Sequence, residues 1–128
     1  MTGTFRLMAA GLVLAAAAPL TAHHSWTADY DAAKPVAVAG VVAKVEWTNP
    51  HTHFYIDVKN DTGTVTQWNF EMASTLALER NGWSRKTLQV GDQVAITGFG
   101  GRSVTTRAIA QTITNADGKA LFAGKLGQ

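Results

Sequence analysis

The chain has 128 residues, with 11 Lys and Arg, 9 Asp and Glu and no cysteine, which gives a formal net charge of +2. Without cysteine there is no disulfide framework, no thiolate metal site and no cysteine nucleophile. A charge this close to neutral also argues against nucleic-acid binding, which depends on neutralising phosphates, so we expect no nucleic-acid partner.

Residues 1–22 have the organisation of a secretory signal peptide. Arg6 supplies a positive charge, the apolar run LMAAGLVLAAAA follows it, and Ala22 is a small residue suited to a cleavage site. The run is shorter than the roughly 20 apolar residues that span a bilayer, so we predict cleavage and no membrane span afterwards. The mature protein would then start at His23 and be periplasmic or secreted, whereas an uncleaved segment would anchor it to the inner membrane.

The mature chain has the size of one domain. Residues 23–35 show no clear hydrophobic period and are predicted to form an N-terminal arm, with residues 36–128 as the folded domain. Trp26, in the arm, is expected to be either an exposed aromatic residue or one that pins the arm to the domain.

The first predicted strand follows Pro35 and has the two-residue period of a half-buried strand. Val36 and Val38 fall in the opposite phase to the later apolar residues, and Gly40 lies where the phase changes. This pattern predicts a glycine bulge that bends a long strand. The expected inward residues after the bulge are Val41, Ala43, Val45 and Trp47.

A hairpin is predicted next, because HFYIDVK and VTQWNFEM alternate on either side of the turn sequence NDTG. A short helix follows in ASTLALERNGW, where Ser74 can cap the N-terminus and Gly82 can end the helix. The expected inward residues of the hairpin are Phe54, Ile56, Val58, Trp68, Phe70 and Met72, and Leu76, Ala77 and Arg80 are expected to share one helix face.

Two more strands, VAITGF and RAIAQTIT, and a short ALFAG extension complete the chain, with GFGGR (Gly98–Arg102) predicted as a flexible hairpin turn. Three strands, a helix and two strands is the element order of the oligonucleotide/oligosaccharide-binding (OB) fold. We therefore predict a mainly β protein, a small five-stranded OB-like barrel with one short helix between strands 3 and 4. An open β-sandwich is the alternative, because periodicity does not determine strand order.

All four histidines lie in two short segments, HHS and NPHTH. After cleavage, His23 would chelate a metal through its α-amine and its ring, and His51 or His53 would supply a third nitrogen. His24 is a substitute, since a histidine at the second position also chelates through amine, amide and ring. A planar set of nitrogen ligands favours copper(II), and we expect zinc less because no obvious carboxylate or cysteine completes a tetrahedron.

The same histidines also fit a simpler interpretation as solvated surface residues or as loop hydrogen-bonding groups. Glu71, on the outward face of the third strand, is open to two interpretations as well. It could accept a hydrogen bond from an imidazole or form a surface pair with a lysine or arginine.

The segments AHHSWTADY, EWTNPH, WNFE, NGW and DGKALFAG resemble those of a family of small exported bacterial proteins of unknown function. The resemblance covers nearly the whole mature chain and implies export without implying an activity. It favours His51 over His53 as the third ligand. The residues that it implies as a shared pattern are His23, His24, Ser25, Asn49, Pro50 and His51.

No catalytic signature is evident, since Ser25 beside His24 lacks an orienting third residue, and we do not expect an enzyme. The sequence instead predicts a small periplasmic binding protein with copper as its expected cofactor. The metal-ligating candidates are His23, His51, His24 and His53. The alternative is an accessory or interaction module that binds a protein or a glycan on the barrel face.

Overall fold

The computed structural model describes residues 25–123, so the predicted signal peptide and both His23 and His24 lie outside the described residues. Six strands and one short α-helix, α1 (Thr75–Arg80), follow a 3₁₀ turn at Trp26–Ala28. No helix within the described residues is long and apolar enough to span a membrane. The strands are β1 (Tyr30–Glu46), β2 (His53–Lys59), β3 (Val65–Glu71), β4 (Gln93–Gly101), β5 (Arg107–Asn115) and β6 (Ala120–Ala123).

All six strands belong to one sheet, in the order β3-β2-β1-β4-β5-β6, with an additional pairing between β3 and β5. The neighbouring pairs in this order are antiparallel. The additional pairing is parallel, joins Asn69–Glu71 to Arg107–Ile109, and closes strands β1 to β5 into a ring. The mainly β prediction is confirmed, whereas the expected count of five strands is wrong because the ALFAG extension forms β6 on the outer side of β5.

Strand β1 begins at Tyr30, so the second half of the predicted arm is part of it. The predicted change of phase is present, but it lies after Val42 and not at Gly40. Val42 is buried and Val41 is 40% exposed, contrary to the prediction, whereas Val45 and Trp47 belong to the core as predicted. The register shift lies between Val42 and Lys44, and the burial pattern changes phase there. Glycine is needed at position 40 for a different reason. A Cβ atom at Gly40 would lie 2.3 Å from the Asp57 carbonyl oxygen of β2.

The hairpin of β2 and β3 follows the predicted alternation. Phe54, Ile56, Phe70 and Met72 are buried, and Trp68 and Val58 pack against the same core. Trp47 and Trp83 complete this core from the end of β1 and from the loop after α1. The hairpin therefore contributes to the interior of the ring the side chains that the two-residue period assigns to it.

Helix α1 begins where the sequence predicts, since the Ser74 hydroxyl accepts a hydrogen bond from the Ala77 backbone N–H at 3.2 Å. It ends before Gly82, which has a φ of +83°. The predicted helix face is wrong, because Leu78 is buried and Leu76 is 53% exposed. A helix of six residues makes fewer than two turns, too few for a period to identify the buried face.

The segment GFGGR is also not the predicted turn, because Gly98–Gly101 forms the end of β4. At Gly98 the register shifts against β5, and a Cβ atom there would lie 2.1 Å from the Ile109 carbonyl oxygen. Gly98 therefore allows β5 to approach β4 closely.

We expect Gly98→Ala to lower the free energy of unfolding by about 1–3 kcal/mol, the usual cost of forcing an extra group into a packed site. Gly100→Ala is the matched control in the same strand, since its Cβ atom would meet its nearest neighbours at 3.4 Å. The control should change stability by less than about 1 kcal/mol. Urea unfolding of both variants is the measurement, and equal destabilisation would contradict the close-approach explanation.

Candidate functional site

The loop between β1 and β2 carries His51 and is attached to the start of α1. The Asn49 side-chain oxygen accepts from the Thr75 backbone N–H at 3.2 Å and from the Thr75 hydroxyl at 3.1 Å. The Thr52 backbone pairs with the chain beyond β3, donating to the Ala73 carbonyl and accepting from the Met72 N–H. Hydrogen bonds thus hold the chain on both sides of His51, through the Asn49 side chain and the Thr52 backbone, while the His51 ring stays exposed.

Glu71, the last residue of β3, is the centre of a buried polar cluster. Only 6% of it is exposed, and its Oε2 accepts from the Tyr30 hydroxyl and from Arg107 Nη2, the latter at 2.7 Å. Its Oε1 lies 2.5 Å from His51 Nδ1. Glu71 therefore contacts an imidazole with one oxygen and an arginine with the other. The expectation of a surface pair is wrong, because the Glu71 carboxylate is buried.

The electrostatics of this cluster keep Glu71 ionised. Burial by itself raises the pKa of the Glu71 carboxyl, but the hydrogen bonds from Tyr30 and Arg107 and the nearby positive charges outweigh burial and lower that pKa below its usual range. Burial, and then the hydrogen bond to Glu71, raise the pKa of the Tyr30 phenol. Tyr30 therefore remains a donor and Glu71 an acceptor.

An ionised carboxylate offers only lone pairs to its neighbours. Because His51 Nδ1 lies 2.5 Å from Glu71 Oε1, Nδ1 must carry a proton, since two lone pairs would repel at that distance. In the neutral ring this leaves the Nε2 lone pair of His51 free to bind a ligand. A carboxylate behind a histidine in this way is the usual partner of a metal-binding imidazole.

His53 also has a hydrogen-bonding partner on β3, which is Asn69. The Tyr55 hydroxyl donates to Glu46 Oε2 at 3.1 Å and faces Asn69 Nδ2 at 3.5 Å. Because the Asn69 amide nitrogen faces Tyr55, the Asn69 side-chain oxygen faces His53 Nδ1, at 2.9 Å. His53 Nδ1 is therefore also the protonated nitrogen, and the Nε2 lone pair is the one left unused in the neutral ring.

The two clusters lie side by side on the outward face of the sheet. Lys44, Tyr55, Asn69 and Arg107 are register neighbours across β1, β2, β3 and β5. Glu46, His53 and Glu71 form the adjoining row across β1, β2 and β3. Strand β3 thus supplies one acceptor for each histidine, Asn69 for His53 and Glu71 for His51.

Of the four predicted ligands, the described residues contain His51 and His53, each with its own partner on β3. Within residues 25–123, no group of three or more His, Asp or Glu side chains is arranged to hold a metal ion. Sequence reasoning missed Tyr30 and Arg107, which are 41 and 36 residues away from Glu71 in the chain. No local pattern could have found them, because ring closure is what brings them to Glu71.

Comparison with known proteins places the chain among proteins whose function is not established. Residues 10–110 match the family of unknown function DUF6152. The chain belongs to this family. No curated protein matches the chain significantly.

One solved structure is similar, the mitochondrial single-stranded DNA-binding protein Rim1 of S. cerevisiae. It shares 11% sequence identity at a TM-score of 0.49, over 71% of this chain and 96% of that chain. A likeness at this level says nothing about what the present chain binds.

We expect Tyr30→Phe to lower the free energy of unfolding by about 1.5–3 kcal/mol, because it removes a buried hydrogen bond to a charged carboxylate. Tyr55→Phe is the natural control, since the chain has two tyrosines and Tyr55 donates to the more exposed Glu46. Tyr55→Phe should lower the free energy of unfolding by less than half as much as Tyr30→Phe. Urea unfolding would contradict the central role of Glu71 if both variants lost the same stability.

The neutral rings of His51 and His53 should both be Nδ1–H tautomers. Long-range ¹H–¹⁵N correlation spectra of the neutral rings, recorded in alkaline buffer, would show an unprotonated Nε2 in each ring. His51→Gln and His53→Gln would assign the signals. An Nε2–H tautomer at His51 would contradict the contact with Glu71.

Proposed function

We propose that the protein is an exported binding protein, periplasmic or secreted, that binds one copper(II) ion. The ligands are the α-amine and ring of His23, exposed when residues 1–22 are removed, and Nε2 of His51. The observation that carries the proposal is the contact between His51 Nδ1 and the buried Glu71 carboxylate. Such a partner fixes the ring and increases the basicity of the ligating nitrogen.

The position of Tyr30 supports the participation of His23. Tyr30 and His51 contact the two oxygens of one carboxylate, so the chain that leads into β1 passes beside His51. His23 precedes Tyr30 by seven residues, and within this stretch Trp26–Ala28 form a 3₁₀ turn. The proposal requires the amino terminus that cleavage would create to reach the His51 ring from this turn.

Copper(II) is the metal that fits the proposed ligands best. An amine and two imidazoles are nitrogen ligands that suit its tetragonal geometry, and copper(II) has the highest affinity in the order of common divalent metals. His53 Nε2, two residues along the chain, and His24 remain as substitute ligands. Buffering or delivery of the ion is the activity that such a site would support.

The fold proposed for this role is a barrel of the OB type. The closed ring of β1 to β5, with α1 between β3 and β4, supports it. Barrels of this type bind their ligands on the face of strands 2 and 3 and on nearby loops, including the one between strands 1 and 2. His51 and His53 lie in that loop and at the start of β2.

The second candidate is a module that binds a glycan or protein on the same face without metal. It is favoured by the row of hydrogen-bonding side chains from Lys44 to Arg107, which remain partly exposed. In this case His23 and His24 would have no role in binding, and changes at Tyr55 or Asn69 would affect binding more than changes at His51.

The test is copper(II) titration with EPR on protein processed in cells, beside the same mature chain with one extra glycine before His23. We expect one tight site with nitrogen hyperfine structure in the first sample and its loss in the second. His51→Ala should weaken binding by at least about tenfold, in line with the effect of losing even a supporting group of a metal site. His53→Ala is the matched control and should weaken it less.

Equal and weak copper binding with and without the extra glycine would contradict the metal site. That result would favour the second candidate, a module that binds a glycan or a protein without metal.

A further inference from the structure

The two oxygens of the Glu71 carboxylate have different partners. Oε2 accepts from the Tyr30 hydroxyl and from Arg107 Nη2, whereas Oε1 lies against His51 Nδ1. Because both oxygens belong to one rigid planar group, holding Oε2 between two donors also fixes the direction in which Oε1 points. The orientation of the group behind His51 is therefore set by two residues that are not in contact with its ring nitrogen.

Arg107 and Tyr30 also hold each other. The Arg107 guanidinium lies over the Tyr30 ring, 5.3 Å from the ring centroid, an arrangement in which the cation is attracted to the face of the ring. The backbone of Arg107 is placed by the pairing of β5 with Asn69 of β3. The two donors to Oε2 thus form one packed unit.

The position of Tyr30 is fixed from the preceding side as well. The Arg102 backbone N–H donates to the Asp29 carbonyl at 2.8 Å. The Trp26 ring stacks on Phe99 of β4, with ring centroids 5.5 Å apart and an angle of 15° between the planes. Of the two expectations for Trp26, the structure therefore has the one in which it pins the arm, and the start of β1 is held where the Tyr30 hydroxyl reaches Glu71.

We infer that Tyr30 and Arg107 are positioning residues for His51, which act through Glu71 to keep the proton on Nδ1 and the Nε2 lone pair free. The physical basis is that the hydrogen bond made by one ring nitrogen decides which nitrogen carries the proton. The inference rests on the proposed function in one respect, that His51 Nε2 binds the ion. Every contact in it lies within residues 25–123.

The test compares two variants that each remove one donor to Oε2, Tyr30→Phe and Arg107→Gln, with two matched controls. Tyr55→Phe and Lys44→Gln remove a hydroxyl and a positive charge from the same face of the sheet, but the groups removed contact Glu46. Thermal unfolding identifies the variants that remain folded. The two positioning variants act at the same oxygen, so either one decides the question if the other does not fold.

The first measurement needs no metal. Long-range ¹H–¹⁵N spectra of the neutral rings report the protonation of His51 Nε2, and His53, which is held by Asn69, is the internal reference. In both positioning variants we expect the His51 Nε2 resonance to move toward that of a protonated nitrogen, because the two tautomers then mix. The His53 resonances should stay in place in these variants, and the His51 resonances should stay in place in the controls.

The second measurement is copper(II) affinity. Tyr30→Phe and Arg107→Gln should weaken binding by about tenfold, as expected when a supporting group behind a metal ligand is lost, and the controls should not. Arg107→Lys is the rescue variant. Because Arg107 contacts Glu71 through one nitrogen, Nη2, a lysine keeps both the charge and a donor, and should restore most of the affinity and the His51 spectrum.

Unchanged His51 resonances in the folded positioning variants would overturn the positioning role. Shifted resonances with unchanged copper affinity would overturn its part in metal binding. If His51→Ala leaves copper affinity unchanged, the proposed function fails, and the metal-free spectra still decide whether Tyr30 and Arg107 position His51.

Discussion

The buried carboxylate of Glu71 is the constraint on which the rest of the site depends. A charge with 6% exposure is costly unless several donors surround it, and here the donors come from distant parts of the chain. Tyr30 belongs to β1, Arg107 to β5 and His51 to the loop before β2. The Glu71 carboxylate therefore joins three parts of the domain in one cluster. They are the start of β1, the strand β5 that closes the ring, and His51, the proposed metal-binding residue.

Ring closure explains why these groups meet. The parallel pairing of β3 with β5 places Glu71 beside Ile109 and Asn69 beside Arg107, and the register shift in β1 turns Lys44 outward beside Tyr55. Because side chains alternate along a strand, Asn69 and Glu71 then face the same side as both histidines. The result is an outward face that orients two imidazoles instead of leaving them free in solvent.

Different side chains of this outward face would bind a metal ion and a glycan. An imidazole with Nδ1 against a carboxylate and Nε2 unused is prepared for a ligand that accepts a lone pair, and a metal ion is such a ligand. The stacking of Trp26 on Phe99 and the contacts of Arg102 hold the segment before β1 against the end of β4. A glycan would instead use the donors and acceptors of the neighbouring row, with Tyr55 and Asn69 at its centre.

The sequence by itself determined the features that depend on local order. These are the strands and faces of the β2–β3 hairpin, the cap at Ser74, the helix end before Gly82 and the two places that hold every histidine. At β1, periodicity predicted a change of phase but placed it at Gly40, because the exact position of the shift, between Val42 and Lys44, is set by pairing with β2. Only the tertiary structure decided that Glu71 is buried and that Tyr30 and Arg107 surround it, since contacts across 41 and 36 residues arise from closing the ring.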